Sequence, residues 1–251
     1  MRRSVAALAC CAWLGGFGCR TLPPAAGWRP LAPDDPRAAH CVAALDARAD
    51  ARRALRATAR VRSEGPEGGA FFDQVLLAER PARLRVEVLG AMLHQRVLVL
   101  ATDGERYELY RAEDQSREQG AVHPGVLEEV AGLPLTPDAA VSLLLAAPRA
   151  PDTPAESAAE DAAGALRLAW PDQTLECDSA SRLQALSFHP GEREVLHARW
   201  SDWRGLPGVE FPHRLELELP ESASRLSLEF RQVELDPALD PALFRLGLGT
   251  R

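Results

Sequence analysis

Apolar and polar residues alternate along several stretches of the chain with the period of two that a half-buried β-strand requires. In the stretch 84–88, Leu84, Val86 and Val88 alternate with an arginine and a glutamate. The same alternation returns near the C-terminus in 215–219, where leucines alternate with glutamates. Such stretches predict strands with one face in a core and the other in water.

The predicted strands follow one another with short links, which is typical of an antiparallel meander. Gly-Pro-Glu-Gly-Gly at 65–69 and Asp-Gly at 103–104 are strong turn signals between them. The predicted strands are 55–64, 71–78, 84–88, 97–101, 105–110, 165–170, 173–178, 182–188, 195–200, 211–219 and 225–235. About ten strands of this kind predict one curved antiparallel sheet.

Three segments have helical patterns instead: 36 to about 54, 124–131 and 136–147. The first and third each begin with an N-capping residue followed by proline in the first turn. We expect the helices to cover the concave face of the sheet, which gives an α+β fold and a single domain over 36–251. The polar, low-complexity segment 148–164 is predicted to be a mobile linker.

An unusual turn joins the strand 84–88 to the next one. Its residues are Leu89, Gly90, Ala91, Met92 and Leu93, where polar residues are expected. Exposed apolar area lowers solubility unless something binds it, so this turn is a candidate contact site. A turn folded back against the helices would instead bury the same residues for stability alone.

The N-terminus has the features of a bacterial secretory signal over residues 1–18. Two arginines precede an apolar run that is too short for a transmembrane helix, and small residues lead to Cys19. A cysteine in this position resembles the lipobox of bacterial lipoproteins, in which the cysteine is cleaved to the N-terminus and acylated. We expect Cys19 to carry the lipid that holds the protein on a membrane. An ordinary signal peptide cut nearby is the alternative.

Residues 19–35 are proline-rich and predict a tether between the lipid and the folded domain. Arg20 follows the cysteine in place of the acidic residue associated with inner-membrane retention in enterobacteria. The expected location is therefore the outer membrane, facing the periplasm.

Composition excludes one class of partner. The chain of 251 residues has a formal charge of −7 and contains no lysine, so its arginines do not indicate a nucleic-acid-binding surface. If Cys19 is the anchor, Cys41 and Cys177 are the cysteines left in the domain. They could form a disulfide in an oxidising periplasm, although two buried thiols are favoured.

Motifs for catalysis or metal binding are absent from the sequence. It contains no Gly-x-Ser-x-Gly, His-Glu-x-x-His, phosphate-binding glycine loop or Cys-x-x-Cys, and its six histidines are scattered. We therefore expect a protein that is not an enzyme and needs neither a cofactor nor a metal.

Two internal segments resemble the LolA/LolB lipoprotein-carrier superfamily, in particular its outer-membrane lipoprotein receptors. RLRVEVLGAMLHQRVLVLATDG (83–104) is similar to a strand, Leu-Gly turn and strand of that family. EEVAGLPLTPDAAVSLLLAAP (128–148) is similar to its helix, Gly-x-Pro loop and helix. The N-terminal cysteine and tether agree with the same resemblance, which spans about 36–235. The segments 148–164 and 236–251 look longer than these receptors need.

The resemblance implies an incomplete β-barrel whose helices close an apolar cavity for acyl chains. Carried over by position, Leu89 is the leucine of a protruding loop that helps to insert cargo into the membrane, with Met92 and Leu93 beside it. The expected cavity-lining residues are Val61, Val75, Leu77, Leu84, Val86, Val88, Leu143, Leu144, Leu217, Leu228 and Phe230. Without the resemblance, the same residues fit an ordinary filled core better.

The implied function is a carrier or receptor that binds lipoprotein or another lipid and inserts this cargo into the outer membrane. A soluble periplasmic carrier is a candidate partner that would supply the cargo. The alternative is a structural or assembly lipoprotein that uses the same sheet to bind a protein partner of the envelope.

Overall fold

A single antiparallel sheet of fourteen strands dominates the computed structural model, which describes residues 27–32, 35–90 and 95–247. The strands are β1 (Arg29–Pro30), β2 (Ala54–Gly65), β3 (Gly68–Glu79), β4 (Arg83–Leu89), β5 (Arg96–Thr102), β6 (Arg106–Arg111), β7 (Arg117–Ala121), β8 (Ser157–Glu160), β9 (Leu166–Ala169), β10 (Gln173–Cys177), β11 (Leu183–Phe188), β12 (Leu196–Leu206), β13 (Val209–Leu219) and β14 (Ser224–Leu235). Their order is β1-β8-β9-β10-β11-β12-β13-β14-β2-β3-β4-β5-β6-β7, so β1 and β7 are the two edges and the sheet does not close.

The predicted curved antiparallel sheet is confirmed, but it has more strands than the ten expected. The additional strands among the described residues are β1, β7 and β8. These strands are short and lie at or next to an edge of the sheet, where they contribute little to the core. Their sequences therefore lack the apolar alternation by which the other strands are predicted.

The segment 148–164 is packed against the sheet, and the prediction of a mobile linker is wrong. Ala150 is buried, and the Thr153 carbonyl accepts a hydrogen bond of 2.8 Å from the Trp170 indole N–H. The backbone N–H of Glu156 donates to the Ala169 carbonyl at 2.8 Å, and β8 pairs with both β1 and β9. Backbone hydrogen bonds fix this segment despite its polar composition.

The helices are α1 (Pro36–Ala51), α2 (Val126–Ala131) and α3 (Pro137–Leu144). Both predicted capped starts are present, since the Asp35 carboxylate accepts from the Arg37 backbone N–H and the Thr136 hydroxyl accepts from that of Ala139. Among the described residues, no helix combines the length and apolar character needed to cross a bilayer.

The three helices cover two halves of one sheet face. Cys41, Leu45 and Ala49 are the buried residues of α1, which contacts β9. Helix α3 contacts β3 and β4, and both helices contribute to one continuous hydrophobic core. The predicted arrangement of helices over the concave face therefore holds for both halves of the sheet.

On the opposite face of the sheet, the C-terminal tail packs against β4. Its 3-10 turn at Pro241–Phe244 contacts β4, and Phe244 is 1% exposed. The Arg85 guanidinium donates a hydrogen bond of 2.7 Å to the Leu243 carbonyl. Leu77 and Phe244 are buried but separate from the main core, so the tail builds a second, smaller hydrophobic layer.

Candidate functional site

An apolar cavity of about 290 Å³ lies between the sheet and two of the helices. Its floor is formed by β13, β14, β2, β3, β4, β5 and β6, which are consecutive in the sheet. Its roof consists of α2, α3 and the loop between them (126–144). An apolar cavity of about 150 Å³ already binds benzene, so this one has room for a hydrocarbon ligand.

The strand register places apolar side chains of neighbouring strands side by side in the cavity floor. Leu76 on β3 lies opposite Val86 on β4, which in turn lies opposite Leu100 on β5. Leu100 is paired with Leu109 on β6. Residues directly opposite one another in a sheet share a face, so these four apolar side chains form a continuous row under the roof.

Most of the residues predicted to line a cavity are brought together by this arrangement. Those that line it are Val61, Leu84, Val86, Val88, Leu143, Leu144, Leu217 and Leu228. They come from β2, β4, β13, β14 and α3, which are far apart in sequence.

Three of the predicted residues lie elsewhere. Val75 and Leu77 are on the opposite face of β3, because Leu76 between them faces the cavity. Phe230 lies in the core but does not line the cavity, and its ring packs edge-to-face on Phe211 with centroids 5.5 Å apart. For these three positions the placement differs from the prediction.

One end of the cavity is deeper than the other. Leu84, Leu100 and Leu109 are at most 4% exposed. Phe72, Gln74, Val88, Leu98 and Leu226, at the other end, are half-buried. We call that end the mouth. A ligand entering there would reach progressively drier surroundings.

Helix α3 is fixed to the sheet by a buried guanidinium. Arg52 is 3% exposed, and one of its nitrogens donates hydrogen bonds to the carbonyls of Leu145 (3.0 Å) and Ala146 (3.2 Å). A second nitrogen donates to the Glu210 carbonyl on β13, and the guanidinium lies 5.5 Å from the Phe211 ring centroid. Burial lowers the pKa of Arg52 to about 10, so it remains charged at neutral pH.

Two further side chains hold the same helix. Arg80 donates to the Ser142 hydroxyl (3.1 Å) and to the Ala147 carbonyl, and the Trp200 indole N–H donates to the Leu143 carbonyl at 3.2 Å. Carbonyls at a helix C-terminus lack partners within the helix, and these donors supply them. This side of the roof is therefore anchored while its apolar residues face the cavity.

The candidate tip, residues 89–93, begins beside the mouth. Leu89 ends β4, and the Gly90 N–H donates to the Gln95 carbonyl at 2.8 Å, which closes the hairpin to β5. Met92 and Leu93 lie outside the described residues, as does the predicted lipid-attachment residue Cys19.

The base of this hairpin carries charges and exposed apolar residues that the sequence did not single out. Glu87 accepts hydrogen bonds of 2.6 Å from both Arg85 and Arg96, which braces β4 and β5 on the face away from the cavity. Phe71 is 64% exposed and Val97 41% exposed. Both lie near Leu89, since its partners are Asp73 and Arg96. Two exposed apolar side chains therefore lie near the base of this hairpin, on the sheet face away from the cavity.

The buried cysteines and two of the histidines are held by contacts within the protein. Cys41 and Cys177 are free, buried thiols, and the hydrogen bond between them together with burial raises the pKa of Cys177 well above its ordinary value. His213 is buried with its Nδ1 3.2 Å from the Phe211 carbonyl, and His197 Nδ1 is 2.7 Å from the Ser187 hydroxyl. Among the described residues no three potential metal ligands cluster together.

Several cavity residues were not predicted. They are Phe72, Gln74, Leu76, Leu98, Leu100, Leu109, Leu127, Val130, Ala131, Leu133, Leu135, Ala140, Leu215 and Leu226. Leu98, Leu100 and Leu109 continue the alternation of β4 into the next two strands, so a consistent register would have identified them. Gln74 is a polar residue in an apolar row, and nothing in the sequence pattern marks it.

Comparison with known proteins identifies the fold. No protein-family model and no curated protein sequence matches the chain. Among solved structures, a LolA superfamily protein from Nitrosomonas europaea matches with a TM-score of 0.53 at 13% identity, covering 81% of this chain and 97% of that one. An outer membrane lipoprotein-sorting protein domain, described as putative, from Vibrio parahaemolyticus matches with a TM-score of 0.52 at 9% identity, covering 82% and 94%.

A third structure, a DUF1329 family protein from Desulfovibrio piger, matches with a TM-score of 0.54 at 8% identity and covers 84% of this chain and 97% of that one. Each match covers nearly the whole of the other protein, so the likeness extends over the complete architecture. At these identities the comparison shows the fold alone, which is an open, strongly curved antiparallel sheet with few helices, similar to that of the LolA superfamily protein.

Proposed function

We propose that the protein is a non-enzymatic carrier or receptor that binds acyl chains of lipoproteins, or another lipid, and inserts its cargo into the outer membrane. The observation that carries this proposal is the cavity of about 290 Å³, lined by apolar side chains and Gln74. Protein interiors are ordinarily close-packed, so an apolar space of this size favours a ligand over a plain core.

The cavity suits reversible binding. Its deep end is dry and apolar, which favours a hydrocarbon chain, whereas the half-buried mouth gives that chain a way out. None of the described residues that line the deep end has a polar side chain that could hold a headgroup. Binding would therefore depend on apolar area and would be similar for acyl chains of different origin.

Delivery of cargo to the membrane would depend on both the N-terminus and the mouth of the cavity. Cys19 would carry a lipid anchor at the outer membrane, and residues 19–35 would let the domain reach that membrane from the periplasm. The exposed Phe71 and Val97 lie at the hairpin where the proposed tip begins with Leu89, beside the mouth, and cargo would pass there from the cavity to the bilayer. Delivery to the mouth by a soluble periplasmic carrier is part of the proposal.

Native mass spectrometry of the protein purified without its lipid anchor tests this function. We expect a fraction of molecules to retain an acyl-containing ligand that dissociates at raised collision energy, because the cavity is apolar and accessible. Protein that carries no ligand after expression, and takes none up from added lipid, would contradict the proposal. That outcome would favour the structural or assembly lipoprotein.

The tip gives a second expected result. Replacing Leu89 with Glu should reduce delivery of a reporter lipoprotein to the outer membrane several-fold, because a carboxylate is costly to place in a bilayer. The measurement is the fraction of reporter in the outer membrane after separation of the two membranes. Leu243→Glu is the matched control, since that leucine is 37% exposed on the tail, away from the mouth. Equal delivery by both variants would show that the tip is not needed.

A further inference from the structure

Among the described residues that line the cavity, Gln74 on β3 is the one with a polar side chain. Within the described residues, its carboxamide neither donates nor accepts a side-chain hydrogen bond. A carboxamide has two donor hydrogens and an acceptor oxygen, and these need partners wherever water is excluded. A glutamine is therefore costly in this wall unless a ligand or solvent satisfies it.

The register places Gln74 at a particular depth. It lies opposite the buried Ala59 on β2 and opposite Val88 on β4, which is one of the half-buried residues of the mouth. Ala78, four residues further along β3, lies opposite Leu84 at the deep end. Four residues of strand span about 13 Å, so a chain bound below Gln74 has a long apolar path before it.

We propose that Gln74 is a specificity-determining residue that donates a hydrogen bond to the carbonyl of an ester- or amide-linked acyl chain. This inference rests on the proposed function and adds the substrate class to it. An acyl chain enters with its hydrocarbon end first, because the deep end offers no polar partner. Its carbonyl then stops at the mouth, at the level of Gln74.

Selectivity for acyl carbonyl compounds arises because a ligand that displaces water removes the hydrogen bond between water and the Gln74 amide. An acyl ester replaces the lost hydrogen bond to water with one to its carbonyl. A saturated hydrocarbon of the same length covers the amide and leaves it without a partner, which opposes binding. The cavity therefore distinguishes acyl carbonyl compounds from plain alkanes although almost all of its surface is apolar.

The test compares methyl palmitate with octadecane as competitors of a fluorescent polyene bound to the purified protein. Gln74→Met removes the amide and keeps the length of the side chain. Gln232→Met is the matched control, because Gln232 is exposed on β14 outside the cavity. We expect Gln74→Met to bind methyl palmitate about tenfold more weakly than the wild type does, which corresponds to the loss of one neutral hydrogen bond. The same variant should bind octadecane at least as tightly as the wild type does.

The outcomes separate this inference from the proposed function. If the wild type binds both competitors and Gln74→Met changes neither, the inference is wrong and the carrier function stands. If the wild type binds neither competitor, both fail. Unfolding by urea checks that Gln74→Met is folded, and a less disruptive Gln74→Leu variant is measured in the same way if it is not.

Two larger ligands then identify the source of the acyl carbonyl. One is a synthetic triacylated S-glyceryl-cysteine peptide, and the other is a diacyl phosphatidylethanolamine. A ligand that displaces the polyene from the wild type should bind Gln74→Met about tenfold more weakly. Equal affinity of both proteins for every ligand that binds would overturn the role of Gln74.

Discussion

Replacing Arg52 with Ala is expected to lower the free energy of unfolding by about 3 kcal/mol or more. The variant removes a buried guanidinium and leaves the carbonyls of Leu145, Ala146 and Glu210 without their donor. Each buried acceptor without a partner costs about 1 to 3 kcal/mol, and hydration of the new space offsets part of this. Urea unfolding followed by circular dichroism measures the change.

Arg53→Ala is the matched control for this variant. Arg53 is the next residue along the chain and its side chain is exposed. Its backbone N–H donates to the Asp236 carboxylate and its carbonyl accepts from the Arg80 N–H, and the alanine variant keeps both of these backbone groups. Its replacement should change stability by about 0.5 kcal/mol or less. If the two variants unfold at the same urea concentration, Arg52 does not anchor the roof. The expected difference would show that α3 is held over the cavity by its C-terminal end.

Replacing Leu98 with Trp is expected to reduce binding of a fluorescent fatty-acid analogue at least about tenfold, because the indole occupies the mouth of the cavity. Leu98 lines the cavity at its half-buried end, so a larger ring has space to enter there without displacing the dry core. The free energy of unfolding should fall by no more than about 1 to 3 kcal/mol, which is the usual cost of overpacking. A fluorescence titration of the purified variant measures affinity.

The preceding residue provides the control. Val97 is on the same strand but points away from the cavity and is 41% exposed, so Val97→Trp adds the same ring outside the site. We expect this variant to bind the analogue as the wild type does. Wild-type affinity in folded Leu98→Trp would mean that the ligand binds somewhere other than this cavity.

The sequence predicted side-chain orientation best in strands where apolar residues alternate with charged or polar ones. Leu84, Val86 and Val88 are separated by Arg85 and Glu87, and the structure places all three apolar side chains in the cavity wall. The leucines of β13 and β14 behave in the same way at 217 and 228. Alternation predicts the face directly in such strands, because charged side chains mark the face opposite the apolar one, even on β4, where the C-terminal tail lies over that face.

The prediction failed on β3 for a related physical reason. Val75, Leu76, Leu77 and Ala78 form an unbroken apolar run, and both faces of this strand are buried here, since Leu76 lines the cavity and Leu77 on the opposite face is 7% exposed. A strand buried on both sides carries no alternation from which its orientation can be derived. The assignment of Val75 and Leu77 to the cavity depended on a register that only the paired strands define.

The presence of a cavity was likewise beyond the sequence. Whether apolar side chains meet or leave space depends on how far the roof stands from the floor, which is set by contacts such as Arg52 and Trp200 with the carbonyls of α3 and the residues just after it. Those contacts join residues more than fifty positions apart in the chain, and no local pattern reveals them. Residue type alone is compatible with both a filled core and a ligand site.

An unclosed sheet leaves two rows of unpaired backbone groups, which is a route to aggregation at high protein concentration. One edge, β1, is only two residues long and includes Pro30, which has no N–H to offer a further strand. The other edge, β7, presents Arg117, Glu118 and Gln119 to solvent. Both edges resist pairing with a neighbouring molecule, so crowded copies of this domain should remain separate.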